Sequence, residues 1–243
     1  MDYAVIFAGG VGRRMNNGAL PKQFLEVHGK PIIIYTLEKF EHDDNIDGIV
    51  VICVAGWEDY LQEKLDRFGI KKVKKIMTGG AEAIDSQFIG VQYVYANLPH
   101  DAQTAVLLHD GVRPLIDTAT IDANIQTVHE KGTAITVVPA IETIGVGVTA
   151  GKLDRFVDRS QCVLARAPQS YRLESLYQTF KRSQDEGRHD FIDSASMMQH
   201  YGVELYTVTG STDNIKVTTP TDFYIFRAIL DARENSQIFG GQA

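Results

Sequence analysis

The sequence predicts an α/β fold in which a mostly parallel sheet carries helices on both of its faces. Apolar runs of strand length alternate along the chain with segments of helical periodicity. The length of 243 residues is enough for one sizeable hydrophobic core. A segment rich in Gly, Thr and Val interrupts the alternation at about residues 139–162. We therefore expect a single domain over residues 1–243, with a β-arm that projects at about residues 139–162.

The individual elements follow from the apolar period and from the residues that start and stop helices. The predicted strands cover residues 3–8, 49–54, 106–108, 134–138 and 203–208. Seven helices are predicted. The first begins at Pro31, the third runs from Asp85 or Ser86 to about 96, and the last runs from Pro220 to about 232. The others cover residues 57–68, 118–130, 173–186 and 193–201. Ala150 and Gly151 predict the turn of a hairpin in the arm. Residues 234–243 are expected to fray.

Composition narrows the class of protein. The formal net charge of −7 disfavours nonspecific binding to nucleic acid, which needs a basic surface. No apolar run approaches the roughly 20 residues of a membrane span, so no membrane partner is expected. The N-terminus lacks the basic start of a signal peptide, and the two cysteines lie far apart in sequence. These features predict a cytoplasmic protein without disulfides.

A glycine-rich segment follows the first predicted strand. Residues 9–14 read GGVGRR, and Lys22 comes shortly after them. A strand that leads into such a loop brings backbone N–H groups against an anion, and the basic side chains add positive charge. The segment lacks the Gly-Lys-Ser/Thr ending of a Walker A loop and the third glycine of the dinucleotide fingerprint. It favours a nucleoside triphosphate site, although an ordinary strand-to-helix turn is also compatible with it.

Two polar clusters lie where such a site would need them. Asp110 ends a buried strand, and ligands bind at the carboxyl ends of strands in open α/β sheets. A carboxylate beside a triphosphate suits Mg²⁺, although a turn-capping role is the alternative. Residues 213–216 separate a late strand from the last helix, and an exposed turn is the alternative there. His109 is interpreted as a buried, hydrogen-bonded side chain, and Asp193 as a helix cap.

An ordered set of short motifs spans almost the whole chain. These motifs are FAGGVGRRM and PKQF near the N-terminus, GGAEAIDS (79–86), HDGVRP (109–114), ET (142–143), VDR (157–159), APQSY (167–171) and DNIKVTTP (213–220). The set resembles the signature of the cytidylyltransferases that form CDP-linked polyols, whose two best-known branches act on 2-C-methyl-D-erythritol 4-phosphate and on ribitol 5-phosphate. The resemblance implies a Rossmann-like three-layer nucleotidyltransferase fold with a mostly parallel mixed sheet and a projecting β-arm.

The resemblance also implies residue roles, with CTP and a polyol phosphate as substrates, Mg²⁺ as cofactor and a homodimer that exchanges its arms. Three positions depart from the family pattern: Ala83 replaces a usual arginine, Val163 a usual aromatic residue and Ala167 a usual threonine. The implied catalytic residues are Arg14, Lys22 and Lys216; the nucleotide-binding residues are Ala8, Gly9, Gly10, Gly12, Gly80, Ala81, Ser86, Asp110 and Gly111; the acceptor-binding residues are Arg113, Thr143 and Arg159; and the metal ligands are Asp110 and Asp213.

The expected reaction is the transfer of CMP from CTP to a polyol phosphate, with release of pyrophosphate. HDGVRP favours the ribitol 5-phosphate branch, whereas DNIKVT and Ser86 favour the methylerythritol branch. A third polyol or sugar phosphate stays open as the acceptor. Two alternatives from other classes are a sugar-phosphate nucleotidyltransferase that uses another NTP and a non-catalytic nucleotide-binding module.

Overall fold

A computed structural model describes residues 1–10 and 20–239, with backbone only for residues 236–239. The described strands are Tyr3–Ala8 (β1), Glu26–Val27 (β2), Lys30–Pro31 (β3), Gly48–Cys53 (β4), Val73–Thr78 (β5), Ala105–Asp110 (β6), Thr133–Pro139 (β7), Gly145–Thr149 (β8), Lys152–Phe156 (β9), Val163–Arg172 (β10) and Thr207–Thr209 (β11). The described helices are Ile32–Glu41 (α1), Glu58–Phe68 (α2), Ala83–Asn97 (α3), Thr118–Lys131 (α4), Leu173–Asp185 (α5), Ser194–His200 (α6) and Pro220–Phe239 (α7).

Seven strands form the central sheet in the order β11-β7-β10-β6-β1-β4-β5. Only β10 runs antiparallel to its neighbours β6 and β7, whereas the other pairs are parallel. The sheet is therefore mixed and mostly parallel, as predicted. Because β1 lies between β6 and β4, its carboxyl end opens near the middle of the sheet edge, where a ligand finds side chains from several strands.

The side-chain period of β1 explains the three layers. Ala4 and Ile6 point into a core that contains residues of α1, α2 and α4. Tyr3 and Val5 point into a second core that contains residues of α3, α5 and α6. Successive side chains of a strand face opposite sides of a sheet, so one buried strand contributes to both cores. The predicted three-layer arrangement is confirmed.

The structure corrects several predicted boundaries. Helix α3 begins at Ala83 with Glu82 as its cap, and Asp85 accepts a hydrogen bond from the Glu82 backbone N–H at 3.2 Å. Asp85 is thus the reciprocal partner of a capping box rather than the cap itself. The last helix continues to Phe239, beyond its predicted end at about residue 232. The late strand covers only Thr207–Thr209.

The β-arm forms as predicted. Strands β8 and β9 pair with each other in a separate two-stranded sheet. Ala150 and Gly151 make the turn with φ of 49° and 80°, and two adjacent left-handed residues match the twist of a two-residue hairpin. Large apolar side chains on the arm, Val148 and Phe156 among them, are exposed in the single chain. No helix in the described part of the chain is both long and apolar enough to cross a bilayer.

Candidate active site

Two adjoining cavities open at the carboxyl edge of the central sheet. The first cavity has a volume of about 300 Å³, and the second has about 210 Å³. Four residues line both of them, so the cavities form one continuous cleft: Phe7, Ala83, Asp110 and Lys216. The predicted residues that line the first cavity also include Ala8, Gly9, Gly10, Lys22, Gly80, Ala81 and Ser86.

Close packing of two glycine turns shapes the first cavity. A Cβ added to Gly79 would lie 3.4 Å from the Gly9 Cα and 3.0 Å from the Ser86 Oγ. The Ser86 hydroxyl accepts a hydrogen bond from the Gly80 N–H at 3.1 Å and donates one to the Glu82 carbonyl at 3.2 Å. Ser86 therefore fixes the turn that faces the glycine loop. This arrangement lets backbone groups approach a ligand closely, as a nucleotide site requires.

A buried side-chain amide holds the carboxyl end of β1 in place. Gln23 donates from Nε2 to the Ala8 carbonyl at 2.6 Å, and Gln23 itself is buried. Lys22 precedes Gln23 in a short 3-10 turn and lines the first cavity. The tether from Gln23 thus positions Lys22 at the start of the cleft. Gly12 and Arg14, which the resemblance also places here, lie outside the described residues.

Asp110 is the electrostatic centre of the cleft. Its carboxylate pairs with the Arg113 Nε at 2.7 Å and with the Lys216 Nζ at 2.6 Å. Burial alone would favour the neutral acid, but Lys216 and Arg113 outweigh it and hold the pKa of Asp110 at about 2. Asp110 is therefore ionised at neutral pH. The buried Asp110 carboxylate thus orients Arg113 and Lys216, which both line the second cavity. Lys216 also lines the first cavity.

Hydrogen bonds at Asn214 hold the Lys216 segment in place. The carbonyl of Asn214 accepts hydrogen bonds from the Arg113 Nη1 at 2.9 Å and from the Arg166 Nη1 at 2.8 Å. The Asn214 side chain is buried and donates to the Ala167 carbonyl at 2.8 Å. These bonds link residues 213–216 to β10 and to the turn that follows β6, so the segment is anchored where Lys216 reaches Asp110, and the alternative of an exposed turn does not hold.

His109 has the structural role that the sequence predicts. It is fully buried, and its Nε2 lies 3.3 Å from the Arg113 carbonyl. Burial lowers the pKa of His109 to about 4, so the ring is uncharged at neutral pH. Asp193 likewise caps α6, as interpreted from the sequence, by accepting a hydrogen bond from the Ser196 N–H at 2.8 Å.

Other predicted site residues lie outside the cleft in the single chain. Asp213 pairs with Arg233 at 3.1 Å and lines neither cavity. Thr143 and Arg159 are exposed, and Arg159 donates to the Ile141 carbonyl at 2.7 Å. Gly111 packs under the cleft, where its N–H donates to the Phe7 carbonyl at 3.0 Å. The predicted roles of these four residues remain predictions.

Sequence reasoning missed two residues that line the second cavity, Gln87 and Arg166. Arg166 directly precedes the motif APQSY, and Gln87 directly follows GGAEAIDS. Their position beside matching motifs is the signal that could have identified them.

Comparison with known proteins identifies the family. Residues 3–232 match the family profile described as IspD: 2-C-methyl-D-erythritol 4-phosphate cytidylyltransferase. The chain belongs to this cytidylyltransferase family. It is 47% identical over 240 residues to a ribitol-5-phosphate cytidylyltransferase of Streptococcus agalactiae serotype V, covering 99% of both chains. It is 46% identical to one of Vibrio parahaemolyticus, covering 99% of this chain and 100% of that one.

Solved structures of the same family share the fold. The 4-diphosphocytidyl-2C-methyl-D-erythritol synthase of Anaerococcus prevotii superposes with a TM-score of 0.81 at 21% identity, covering 95% of this chain and 96% of that chain. A Francisella tularensis IspD structure gives 0.76 at 24% identity, covering 93% and 99%. The family and the sequence relatives share cytidylyl transfer to a polyol phosphate, and this IspD-family chain is an enzyme of that kind.

Proposed function

We propose that the enzyme transfers CMP from CTP to ribitol 5-phosphate, giving CDP-ribitol and pyrophosphate. The observation that carries this proposal is the 47% identity to a ribitol-5-phosphate cytidylyltransferase over 99% of both chains. The solved structures named for methylerythritol compounds are only 21–24% identical. Because the family profile itself is described by 2-C-methyl-D-erythritol 4-phosphate, that polyol phosphate is the second candidate acceptor.

In the proposed reaction, the triphosphate of CTP occupies the first cavity and the acceptor occupies the second. A phosphate oxygen of the acceptor attacks the α-phosphorus of CTP, a new P–O bond forms, and the bond to the β-phosphate oxygen breaks. Pyrophosphate leaves with that electron pair. The attacking oxygen is already anionic near neutral pH, so no general base is needed, and the protein contributes positioning and charge stabilisation.

Lys216 is suited to this step because it lines both cavities. Its ion pair with Asp110 fixes the ammonium group at the junction, where negative charge develops on the α-phosphate. Lys22, which lies near the N-terminus of the chain, also lines the first cavity. Cations that are already oriented before the reaction stabilise a transition state without further reorganisation.

The proposal includes dependence on Mg²⁺, and Asp110 fits as a ligand. Its carboxylate is ionised, lies at the cleft and accepts one cation at each oxygen, which leaves further lone pairs. Proteins bind Mg²⁺ through one or two carboxylates together with substrate phosphates. When bound, the ion would neutralise charge on the triphosphate. Asp213 is proposed as a second ligand, which requires that its carboxylate leave Arg233.

The proposal also includes a homodimer in which the arms are exchanged. An isolated hairpin is marginal in water, and this arm exposes Val148 and Phe156. A second copy of the chain would cover these side chains and bring its Thr143 and Arg159 to the second cavity. We also propose a cytoplasmic location, which agrees with the unpaired Cys53 and Cys162.

Pyrophosphate release with each NTP and a panel of acceptors tests the proposed function. Ribitol 5-phosphate, 2-C-methyl-D-erythritol 4-phosphate and a hexose 1-phosphate would form the panel, with and without Mg²⁺. We expect the highest kcat/KM with CTP and ribitol 5-phosphate, and no turnover after chelation of the metal. Equal turnover with ATP or GTP, or a preference for another acceptor, would contradict the proposal.

A further inference from the structure

Two kinds of polar group line the second cavity. Arg113, Arg166 and Lys216 supply positive charge beside the Asp110 carboxylate. The other polar residues of the lining are Gln87, Gln169 and Asp193. A molecule that carries both an anionic group and hydroxyl groups matches this lining. The hydrogen bonds of the lining residues show which groups are already engaged and which are available to a ligand.

The side chain of Gln169 forms hydrogen bonds with Asp193 and with the first residues of α6. The Gln169 Nε2 donates to the Asp193 carboxylate at 2.7 Å. The Gln169 Oε1 accepts hydrogen bonds from the Ser194 hydroxyl at 2.6 Å and from the Ala195 N–H at 3.0 Å. The Gln169 amide therefore has its donor and its acceptor engaged within the protein. It forms a fixed wall of the cavity rather than a group that waits for a ligand.

Gln87 differs from Gln169 in this respect. Its side chain lines the second cavity and the residue is only 4% exposed. Its Oε1 is buried and has no hydrogen-bond partner among the described residues. A buried amide oxygen without a partner is rare in proteins because it has lost its water without a replacement. A hydroxyl group of a bound ligand would supply the missing donor.

Arg166 differs from Arg113 in its counter-charge. Arg113 is paired with the Asp110 carboxylate, whereas Arg166 has no ion pair with a described residue. Its Nη1 donates to the Thr212 and Asn214 carbonyls at 3.0 and 2.8 Å, which orient the guanidinium without neutralising it. A guanidinium has five N–H donors, so Nη2 and Nε have further donors to offer a ligand. An oxyanion is the chemical complement of this group.

We propose that Gln87 and Arg166 select the acceptor: the Gln87 amide binds a hydroxyl group of the polyol, and Arg166 binds the acceptor phosphate. This inference rests on the proposed function, and it assigns substrate recognition to two residues of the same chain that provides Asp110 and Lys216. A site built around a hydroxyl group discriminates against an analogue that lacks it, because the protein group is then left without a partner.

The test of Gln87 uses ribitol 5-phosphate and its single-deoxy analogues with saturating CTP. We expect the wild type to lose at least about tenfold in kcat/KM with one deoxy analogue, equivalent to one lost hydrogen bond. Gln87→Met keeps the chain length but removes the amide, and should treat that analogue and ribitol 5-phosphate within about threefold of each other. Gln126→Met, at an exposed position in α4, is the matched control and should discriminate like the wild type.

The test of Arg166 separates substrate binding from support of the Lys216 segment. Arg166→Met should raise KM for the acceptor at least about tenfold and leave KM for CTP within about twofold, and Arg166→Lys should recover part of the loss. A merely structural role would instead lower kcat with an unchanged acceptor KM, which would overturn the assignment. Arg182→Met, on the exposed surface of α5, is the control.

Two failures can be told apart. If the wild type transfers CMP to no acceptor of the panel, the proposed function and this inference both fall. If the wild type is active and Gln87→Met keeps the full discrimination against every deoxy analogue, only the inference falls.

Discussion

The nucleotide side of the cleft and the β-arm are built in opposite ways. Around the first cavity, β1 and β6 are buried on both faces, and Asp110 holds Arg113 and Lys216 within one chain. The arm pairs only β8 with β9 and leaves apolar side chains exposed. The described residues of the nucleotide side therefore pack within one chain, whereas under the proposed dimer the part that carries Thr143 and Arg159 would depend on a second chain.

The largest expected effect on activity is that of substitutions on the nucleotide side of the cleft. Lys216→Ala should lower kcat by about 10²–10³, or roughly 3–4 kcal/mol, because it removes a cation already oriented toward the developing charge. Lys22→Ala should behave similarly. Steady-state kinetics and a separate CTP binding measurement should show that Kd changes far less than kcat. Lys181→Ala, exposed on α5, is the control, and turnover within about tenfold for Lys216→Ala would remove Lys216 from its assigned role.

The next effect tests whether the two halves come from different chains. Lys22→Ala and Arg159→Ala homodimers should each be nearly inactive. When they are mixed and allowed to exchange, heterodimers should carry one site with both lesions and one with neither. Activity should return to about a quarter of the wild-type value for random pairing of equal amounts.

A matched mixture provides the control for that experiment. Lys22→Ala mixed with Lys216→Ala should recover no activity, because each site then keeps one lesion on the nucleotide side. If subunit exchange is verified and the Lys22→Ala and Arg159→Ala mixture stays inactive, the arm does not complete the site of a second chain.

A smaller effect compares the same substitution in the two regions. A Cβ on Gly90 would overlap the Val5 Cγ1 in the core, whereas a Cβ on Gly145 would meet the end of the Leu153 side chain in the arm at 2.6 Å. Gly90→Ala should reduce the free energy of unfolding by about 1–3 kcal/mol, since the closely packed side chains of the core cannot move aside for the added methyl group. Gly145→Ala should change it by less than about 0.5 kcal/mol, because Leu153 is partly exposed and can move. Urea unfolding of both variants measures the difference, and equal losses would contradict the comparison.

The last expected effect concerns pH. Because burial lowers the pKa of His109 to about 4, the unfolded chain binds a proton below about pH 6.5 that the folded chain does not bind until about pH 4. The free energy of unfolding should therefore fall as the pH is lowered through this window, by up to about 1.4 kcal/mol per pH unit from this residue. His109→Gln should show a shallower decrease than the wild type, and the exposed His100→Gln should not. Identical slopes for the wild type and His109→Gln would exclude this contribution.

Strand ends and helix signals were sufficient to predict much of the fold, but only part of the site. Asp110 was predictable because a buried apolar run ends there, and the edge of the sheet brings strand ends together. The burial of Gln87 was not predictable, because only packing between distant segments buries a polar residue of a helix; the sequence shows no more than its position directly after the motif GGAEAIDS. Arg166 lies on β10, which pairs antiparallel with β6 and β7, and such pairing depends on partners far along the chain. The pairing of Asp213 with Arg233 of α7 was hidden for the same reason.

The separate pairing of β8 with β9 also has an evolutionary consequence. Insertions, deletions and exchanges of residues in this hairpin leave the register of the seven-stranded sheet unchanged, because no strand of that sheet pairs with it. The sequence of the hairpin can therefore change during evolution while the nucleotide side of the cleft continues to bind the same nucleotide. Substitutions are therefore expected to accumulate in the hairpin sooner than along β1 or β6.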